Sequence, residues 1–242
     1  DLVVDDETNS IVDWKWELIP INNKLSVPDQ GLEEFIHSYK TKVDEKYNAI
    51  ITRFTEELTH PDREVETTLG NIFADAMADM ADTDVILVGS GSIRAKELGP
   101  VVTLGTLKAC FPYDDSLTRY SITGKQLKEI FAHIMRSENR NGEGECFQIN
   151  GKVKAVYSDS TAKLVSITVD DKPVVDTQIY SITLQSYHVV NSVANLGLLQ
   201  DDLLLLRDPK VVSTSAYQVL EEWFRRHPNV NRKIEGRIVF QE

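Results

Sequence analysis

Cysteine is scarce in this sequence, whose 242 residues contain only Cys110 and Cys146. The two lack the CxxC or Cys/His spacing of a zinc site, which excludes a structural zinc module. We expect two buried free thiols. A single disulfide is the alternative, so cysteine usage does not indicate a cellular compartment.

Long apolar runs and positive charge are also missing. No run approaches the length needed to cross a bilayer, so the sequence predicts no membrane span. The 26 Lys and Arg are outnumbered by 38 Asp and Glu, for a formal net charge of -12. A surface of this sign repels polyanions and lacks a basic stripe, which excludes a nucleic-acid partner. Any bound anion must therefore be small and held by a few arginines.

The start of the chain has neither an initiating Met nor the basic and apolar regions of a signal peptide. We therefore expect the sequence to begin inside a longer polypeptide. Its length and its 41% hydrophobic content predict a globular protein with one large domain and an appendage.

Hydrophobic periodicity predicts both strands and helices. Leu2 to Val4 and Ile11 to Ile21 alternate like a hairpin, and from Pro28 an apolar stripe at helical spacing runs to Tyr47. Further strands are predicted at 50–54, 85–88, 101–104, 116–122, 147–157, 164–169 and 178–187, and further helices at 67–80, 124–136 and 214–226. The elements interleave without a strict βαβ rhythm, which favours an α+β fold with mixed sheets.

One segment has the pattern of an anion site. The apolar run 85–88 ends in Gly89-Ser90-Gly91-Ser92, and Arg94 follows. Small residues let backbone N–H groups approach an anion, and an arginine adds a planar charge that matches phosphate. Arg63 lies just before a predicted helix N-terminus, where the helix dipole also favours negative charge.

Several motifs occur in an order that is typical of one family. They are Glu66/Gly70/Asn71, Gly89 to Arg94, Phe111-Pro112-Tyr113, Gly144/Phe147/Gln148/Gly151, Ser186-Tyr187 and a closing Glu235-Gly236-Arg237-Ile238. Over nearly the whole chain this set resembles the C-terminal domain of the 5'-nucleotidase and UDP-sugar hydrolase family. The corresponding family motifs are E-x-x-x-G-N, N-G-G-G-I-R, L-P-F, G-x-F-x-Q-x-x-G and a late N-F.

The resemblance implies a substrate-binding role for six residues. Arg63 and Arg94 would bind phosphate, with Gly89 and Gly91 in the loop between them. Tyr113 and Tyr187 match two aromatic residues that sandwich the nucleobase, and stacking is favourable because every base offers an apolar π-face.

The sequence also departs from the family pattern. Gly89 replaces the loop asparagine, and Ser90 and Ser92 replace glycines. The family's G-G-D-G motif has no counterpart after Tyr187, so the aspartate that would bind ribose hydroxyls is missing. The neighbouring His188 is expected to be a structural residue, and Asp114-Asp115 a solvated turn.

By resemblance, the chemistry belongs to a metallophosphatase domain that carries two divalent metal ions on D-x-H, G-N-H-[DE] and G-H-x-H motifs. None of these motifs occurs here, and the five histidines are scattered, so we expect no catalytic residue and no metal ligand in this chain. The implied organisation is 1–27 as terminal strands of the missing metallophosphatase domain, 28–48 as an interdomain connector helix, and 49–242 as the substrate-binding domain.

The resulting hypothesis is the substrate-recognition half of a secreted, periplasmic or cell-surface 5'-nucleotidase-like phosphohydrolase of nucleotide catabolism. Its ligand would be a nucleotide or related phosphoester, and this chain alone would be inactive. One alternative is a non-catalytic binding or scaffold module of the same fold. Another is a parent enzyme that acts on 2',3'-cyclic nucleotides, nucleotide sugars or another phosphoester.

Overall fold

A computed structural model describes residues 1–22, 24–142 and 144–242 of the chain. The chain divides into two compact units, Asp1–Glu45 and Lys46–Glu242. Helices and mixed sheets interleave along the chain, which confirms the predicted α+β class.

The first unit contains a short antiparallel hairpin of β1 (Leu2–Val4) and β2 (Ile11–Trp14). The predicted second strand extends to Ile21, but the described residues 15–22 form no strand. The physical reason is that β1 offers only three residues for pairing. Helix α1 (Gln30–Tyr47) follows, and none of its residues is buried in the described part of the chain.

The second unit is organised around a five-stranded sheet. Its order is β14 (Lys210–Ser213), β8 (Leu117–Thr123), β13 (Ile179–Gln185), β5 (Val85–Gly89) and β9 (Phe147–Ile149). Strands β13 and β5 are parallel, and the other pairs are antiparallel. Along β5, Ile86 and Val88 face one apolar core while Val85 and Leu87 face another. Burial on both faces explains why this strand is a continuous apolar run.

Six helices of the second unit are found among the described residues. They are α2 (Thr68–Ala81), α3 (Leu104–Cys110), α4 (Gly124–Ile134), α5 (Ser186–Val190), α6 (Ser192–Leu196) and α7 (Ala216–Arg226). Residues of α2 and α7 belong to the first core, and residues of α4 belong to the second. The predicted apolar stripes of these three helices are therefore the faces that pack.

Smaller sheets complete the second unit. A four-stranded sheet has the order β12 (Lys172–Pro173), β11 (Lys163–Val169), β10 (Val153–Ser158) and β15 (Ile238–Gln241). Two short pairs are β3 (Ile50–Arg53) with β7 (Val101–Thr103), and β4 (Leu58–Thr59) with β6 (Glu97–Leu98). The closing motif thus leads into β15, which begins at Ile238 and pairs in parallel with β10.

The prediction of one strand over 147–157 is wrong, because the segment divides between two sheets at Asn150. The buried Asn150 side chain accepts a hydrogen bond from the Ile86 amide at 3.0 Å and donates to the Asp84 carbonyl at 3.1 Å. Its own carbonyl accepts from the Val153 amide at 3.0 Å, which closes a turn. The side chain therefore holds the chain at the point where it leaves the five-stranded sheet.

Cys110 and Cys146 are free and buried, as expected. Burial raises the pKa of Cys110 to about 12 and that of Cys146 to about 11. Both side chains are therefore thiols at neutral pH. Among the described residues, no helix combines the length and apolar character required to cross a bilayer.

Candidate functional site

A cleft of about 420 Å³ opens at one edge of the five-stranded sheet. Four chain segments meet there because parallel β5 and β13 end at this edge, while antiparallel β8 and β9 begin at it. The lining residues are Arg63, Gly91, Ser92, Arg94, Tyr113, Asp114, Asp115, Glu145, Tyr187 and His188. Five of the six predicted site residues are therefore in one place, and the sixth, Gly89, is buried at the end of β5.

The glycine loop does not offer the backbone cradle that its composition predicted. Residues Ser90–Ser92 form a 3₁₀ turn. The amide of Gly89 donates to the Gln185 side chain at 3.0 Å, that of Ser90 to the Cys146 carbonyl at 2.8 Å, and that of Gly91 to Glu145. Since these three N–H groups already have protein partners, the positive charge of the cleft comes from its arginine side chains and not from this part of the loop.

Arg63 and Arg94 provide the positive charge of the cleft. Arg94 is exposed and donates from Nη1 to the Gly91 carbonyl at 3.3 Å. Arg63 is half-buried and donates to the carbonyls of Gly142 and of Gly144, the latter at 3.1 Å. Both arginines also line an adjoining cavity of about 280 Å³. Among the described residues, these contacts use only part of the five N–H groups of each guanidinium.

The N-terminus of α2 does not contribute to the cleft, contrary to the interpretation of Arg63 from sequence. Thr67 caps the helix by accepting from the Gly70 amide at 3.0 Å, and the Gln148 side chain accepts from the Thr67 amide at 3.1 Å. Gln148 packs so closely that a Cβ on Gly70 would lie 2.2 Å from its Oε1 atom. The helix dipole is therefore directed at a buried side chain.

Tyr113 and Tyr187 line the cleft with 47% and 53% of their surface exposed. Tyr113 lies in the loop before β8, and Tyr187 in the first turn of α5. The strand predicted over 178–187 ends at Gln185, because Asp115 accepts from the Ser186 hydroxyl at 2.9 Å and the Tyr187 amide at 3.3 Å. These contacts favour a helical turn.

The expectation of a solvated turn at Asp114-Asp115 is wrong for Asp115, whereas Asp114 is exposed but also bound to a distant residue. Asp115 is half-buried, and besides its bonds to α5 it accepts from the Gln185 side chain at 3.3 Å. Asp114 accepts a hydrogen bond from the Ser215 hydroxyl, at the start of α7. The two carboxylates therefore connect the Tyr113 loop to α5 and α7.

Sequence reasoning missed Glu145 and gave His188 only a structural role. His188 is 1% exposed, with its ring 4.7 Å from that of Phe147 and 5.3 Å from that of Tyr187. Burial lowers the pKa of His188 to about 4, so its ring is neutral at physiological pH. Burial raises the pKa of Glu145, opposed by Arg63 and by the Gly91 amide.

Within residues 1–22, 24–142 and 144–242, no group of three or more His, Cys, Asp and Glu side chains is arranged to hold a metal ion. The described residues therefore provide no site for the two divalent ions. The resemblance assigns these ions to a different domain.

Most of the second unit, including the cleft, matches a known protein family. Residues 46–195 match the model of the family described as "5'-nucleotidase, C-terminal domain". The chain belongs to this family. The match includes the cleft residues from Arg63 to His188, so the site described above is part of the 5'-nucleotidase C-terminal domain.

Individual proteins show the same relationship. The chain is 29% identical over 132 residues to "Endonuclease YhcR" of Bacillus subtilis (strain 168), covering 54% of this chain and 11% of that protein. It is 25% identical over 260 residues to "Apyrase" of Tabanus yao, covering 96% and 45%. The chain therefore spans less than half the length of these relatives.

Solved structures share the fold. A 5'-nucleotidase precursor from Thermus thermophilus superposes with a TM-score of 0.74 at 18% identity, covering 99% of this chain and 48% of that one. A putative 5'-nucleotidase from Staphylococcus aureus, solved in complex with alpha-ketoglutarate, gives a TM-score of 0.70 at 15% identity, covering 100% and 49%. At these identities the likeness establishes the fold alone.

Proposed function

We propose that this 5'-nucleotidase C-terminal domain recognises a nucleotide or a related phosphoester. The observation that carries the proposal is the cleft itself, which combines Arg63 and Arg94 with the half-exposed rings of Tyr113 and Tyr187. Arginines suit a phosphate group, and aromatic faces suit a nucleobase. A nucleotide is a small anion that carries both groups.

Size and charge support the same ligand class. The cleft volume of about 420 Å³ lies in the range of small-molecule sites, roughly 300–1,000 Å³. The net charge of -12 disfavours a polyanion, whereas two local arginines can still attract a single phosphate. The net charge of the chain and the volume of the cleft are therefore both compatible with recognition of a nucleotide.

The chemistry of the parent protein, in this proposal, is performed by a metallophosphatase domain outside this chain. The domain described here would hold the substrate for hydrolysis in nucleotide catabolism, in a secreted, periplasmic or cell-surface enzyme. The relatives are more than twice as long as the region they share with this chain, which leaves room for such a domain. The chain alone should then release no phosphate from AMP.

The first unit supports a contact with a further domain. Trp14, Trp16 and Ile21 are exposed, as is the apolar stripe of α1 that includes Phe35 and Tyr39. Large apolar side chains in this number are typical of a surface that is covered in the intact protein. We therefore propose that residues 1–27 complete the metallophosphatase domain and that α1 is the connector.

Arg94→Ala should weaken AMP binding by roughly ten- to a hundredfold, because a hydrogen bond to a charged group contributes about 1.5–3 kcal/mol. Isothermal titration calorimetry on the wild-type chain and the variant measures this change. Arg225→Ala is the matched control, since Arg225 pairs with Glu221 on the surface of α7 and should leave the affinity unchanged. Unchanged affinity in Arg94→Ala, or no AMP binding by the wild type at millimolar concentration, would overturn the proposal.

A further inference from the structure

Glu145 brings a negative charge into the cleft beside the two arginines. Its side chain is half-buried, and it lines the cleft together with Arg63 and Arg94. Arg63 is near enough for its charge to oppose the rise in the pKa of Glu145. However, the hydrogen bonds of Arg63 go to two backbone carbonyls and not to this carboxylate. A small anion that binds the arginines therefore meets a carboxylate as well.

The carboxylates of the cleft differ in the donors that already bind them. Asp115 accepts from three donors at the end of β13 and the start of α5. Asp114 accepts from a hydroxyl group at the start of α7. For Glu145, the donor found among the described residues is the Gly91 amide. This contact uses only part of the acceptor capacity of a carboxylate, which has about four lone-pair sites.

Arg94 and Glu145 approach the same residue of the glycine loop. Nη1 of Arg94 lies 3.3 Å from the carbonyl oxygen of Gly91. A Cβ atom placed on Gly91 would lie 3.6 Å from Oε1 and 3.9 Å from Oε2 of Glu145, so both carboxylate oxygens are near this residue. Because all three residues line the cleft, an anion bound by Arg94 has the Glu145 carboxylate as a neighbour.

Two adjacent anionic groups of this kind are stable only if one of them carries a proton, because like charges at short range disfavour a second ionisation. A phosphomonoester can carry that proton, since its second pKa is about 6. The anionic oxygens of a sulfate ester or a phosphodiester carry no proton at neutral pH. The Glu145 carboxyl is also suited to share a proton, because burial raises its pKa.

We propose that Glu145 accepts a hydrogen bond from a protonated phosphoryl oxygen and thereby selects phosphomonoesters over sulfate esters and phosphodiesters. This inference rests on the proposed function. The arginines attract any small oxyanion, whereas the carboxylate repels one that has no proton to share. The proton comes from solvent, so binding of the AMP dianion takes up one proton. Cyclic nucleotides and nucleotide sugars lack a phosphoryl hydroxyl and would bind weakly.

The other titratable groups around Glu145 do not account for such a proton. His188 meets Glu145 over the α-carbon of Gly89, but burial lowers the pKa of His188 to about 4, so the ring is neutral at pH 7 and far from gaining a proton. Cys146 is already a thiol, with its pKa raised to about 11. Arg63 and Arg94 stay charged, because a guanidinium is not deprotonated in proteins.

Calorimetric titration with AMP and with adenosine 5'-sulfate tests the selection. The wild-type chain should bind AMP about tenfold or more tightly than the sulfate, because only AMP can donate to Glu145. Glu145→Gln should bring that ratio towards one, since an amide NH₂ group can donate to either anion. Asp62→Asn is the matched control and should retain the full ratio. It removes a carboxylate that lines the adjoining cavity but not the cleft.

Proton uptake by the wild-type chain provides a measurement that needs no variant. AMP titrations at about pH 7.5, in buffers with different ionisation enthalpies, should show uptake of close to one proton for each AMP bound, because free AMP is mostly a dianion there. Glu145→Gln, with its fold checked by circular dichroism, should take up less.

The outcomes separate this inference from the proposed function. A wild type that binds adenosine 5'-sulfate as tightly as AMP, or that binds AMP without proton uptake, would overturn the role of Glu145 and leave nucleotide recognition intact. A full ratio in Glu145→Gln would do the same. Failure of the wild type to bind either ligand would overturn the proposed function and this inference together.

Discussion

Replacing Arg237 with methionine should lower the free energy of unfolding by about 3 kcal/mol, because removing one member of a buried ion pair leaves an unpaired buried charge. The Arg237 side chain is 2% exposed and binds both carboxylate oxygens of Asp75, at 2.8 and 2.9 Å. It also donates to the Ile149 carbonyl at 2.9 Å and to Glu235 at 2.9 Å. Such a loss costs about 3–5 kcal/mol, and we expect the lower end because Arg232 still pairs with Asp75.

Chemical denaturation followed by far-UV circular dichroism measures this loss. Arg226→Met is the matched control, because Arg226 forms an exposed i,i+4 pair with Glu222 on α7. Exposed pairs of this kind contribute less than about 1 kcal/mol. If the two variants lost the same stability, the buried cluster of Arg237 and Asp75 would not stabilise the junction of α2, β9 and β15.

Replacing both Tyr113 and Tyr187 with alanine should weaken AMP binding by at least about thirtyfold. Stacking contributes about 1–3 kcal/mol for each base and ring, so two rings give about 2 kcal/mol as a minimum. The affinity for inorganic phosphate should not change, because the arginines remain. Calorimetry with AMP, adenosine and phosphate separates the base contribution from the phosphate contribution.

The double substitution with phenylalanine is the control for this prediction. It keeps both aromatic faces and removes only the hydroxyl groups, so AMP affinity should stay close to that of the wild type. If the phenylalanine variant lost as much affinity as the alanine variant, the hydroxyls would be the contact and stacking would not be. An alanine variant with wild-type affinity would place the base elsewhere.

The elements that sequence predicts well are those whose signal is local. The stripes of α2, α4 and α7 follow from apolar spacing within each helix, and they pack as predicted. The motif order also singled out Arg94, Tyr113 and Tyr187, which all line the cleft, because each lies within a few residues of a strand end and these strand ends meet at one edge of the sheet.

The errors occur where a distant side chain determines the local conformation. The break at Asn150 depends on its bonds to Ile86 and Asp84, and the helical turn after Gln185 depends on Asp115. The hydrophobic periodicity within 147–157 or 178–187 does not indicate these distant partners. Propensity alone therefore extends both strands too far.

The proximity of Glu145 and His188 could not be predicted from the sequence either. It arises because β9 and β13 both flank β5, so the residues at their ends converge on Gly89. The only local signal was the glycine that stands at the position of the family asparagine. That departure indicates extra space, but only the structure identifies the side chains that occupy it.

Backbone amide chemical shifts recorded during an AMP titration would locate the bound nucleotide. We predict saturable shifts concentrated at Gly91, Arg94, Tyr113, Tyr187 and His188. Inorganic phosphate should reproduce those near the arginines, and adenosine those near the tyrosines. Saturable shifts confined to another surface, or no shifts at millimolar AMP, would contradict the assignment of this cleft as a nucleotide site.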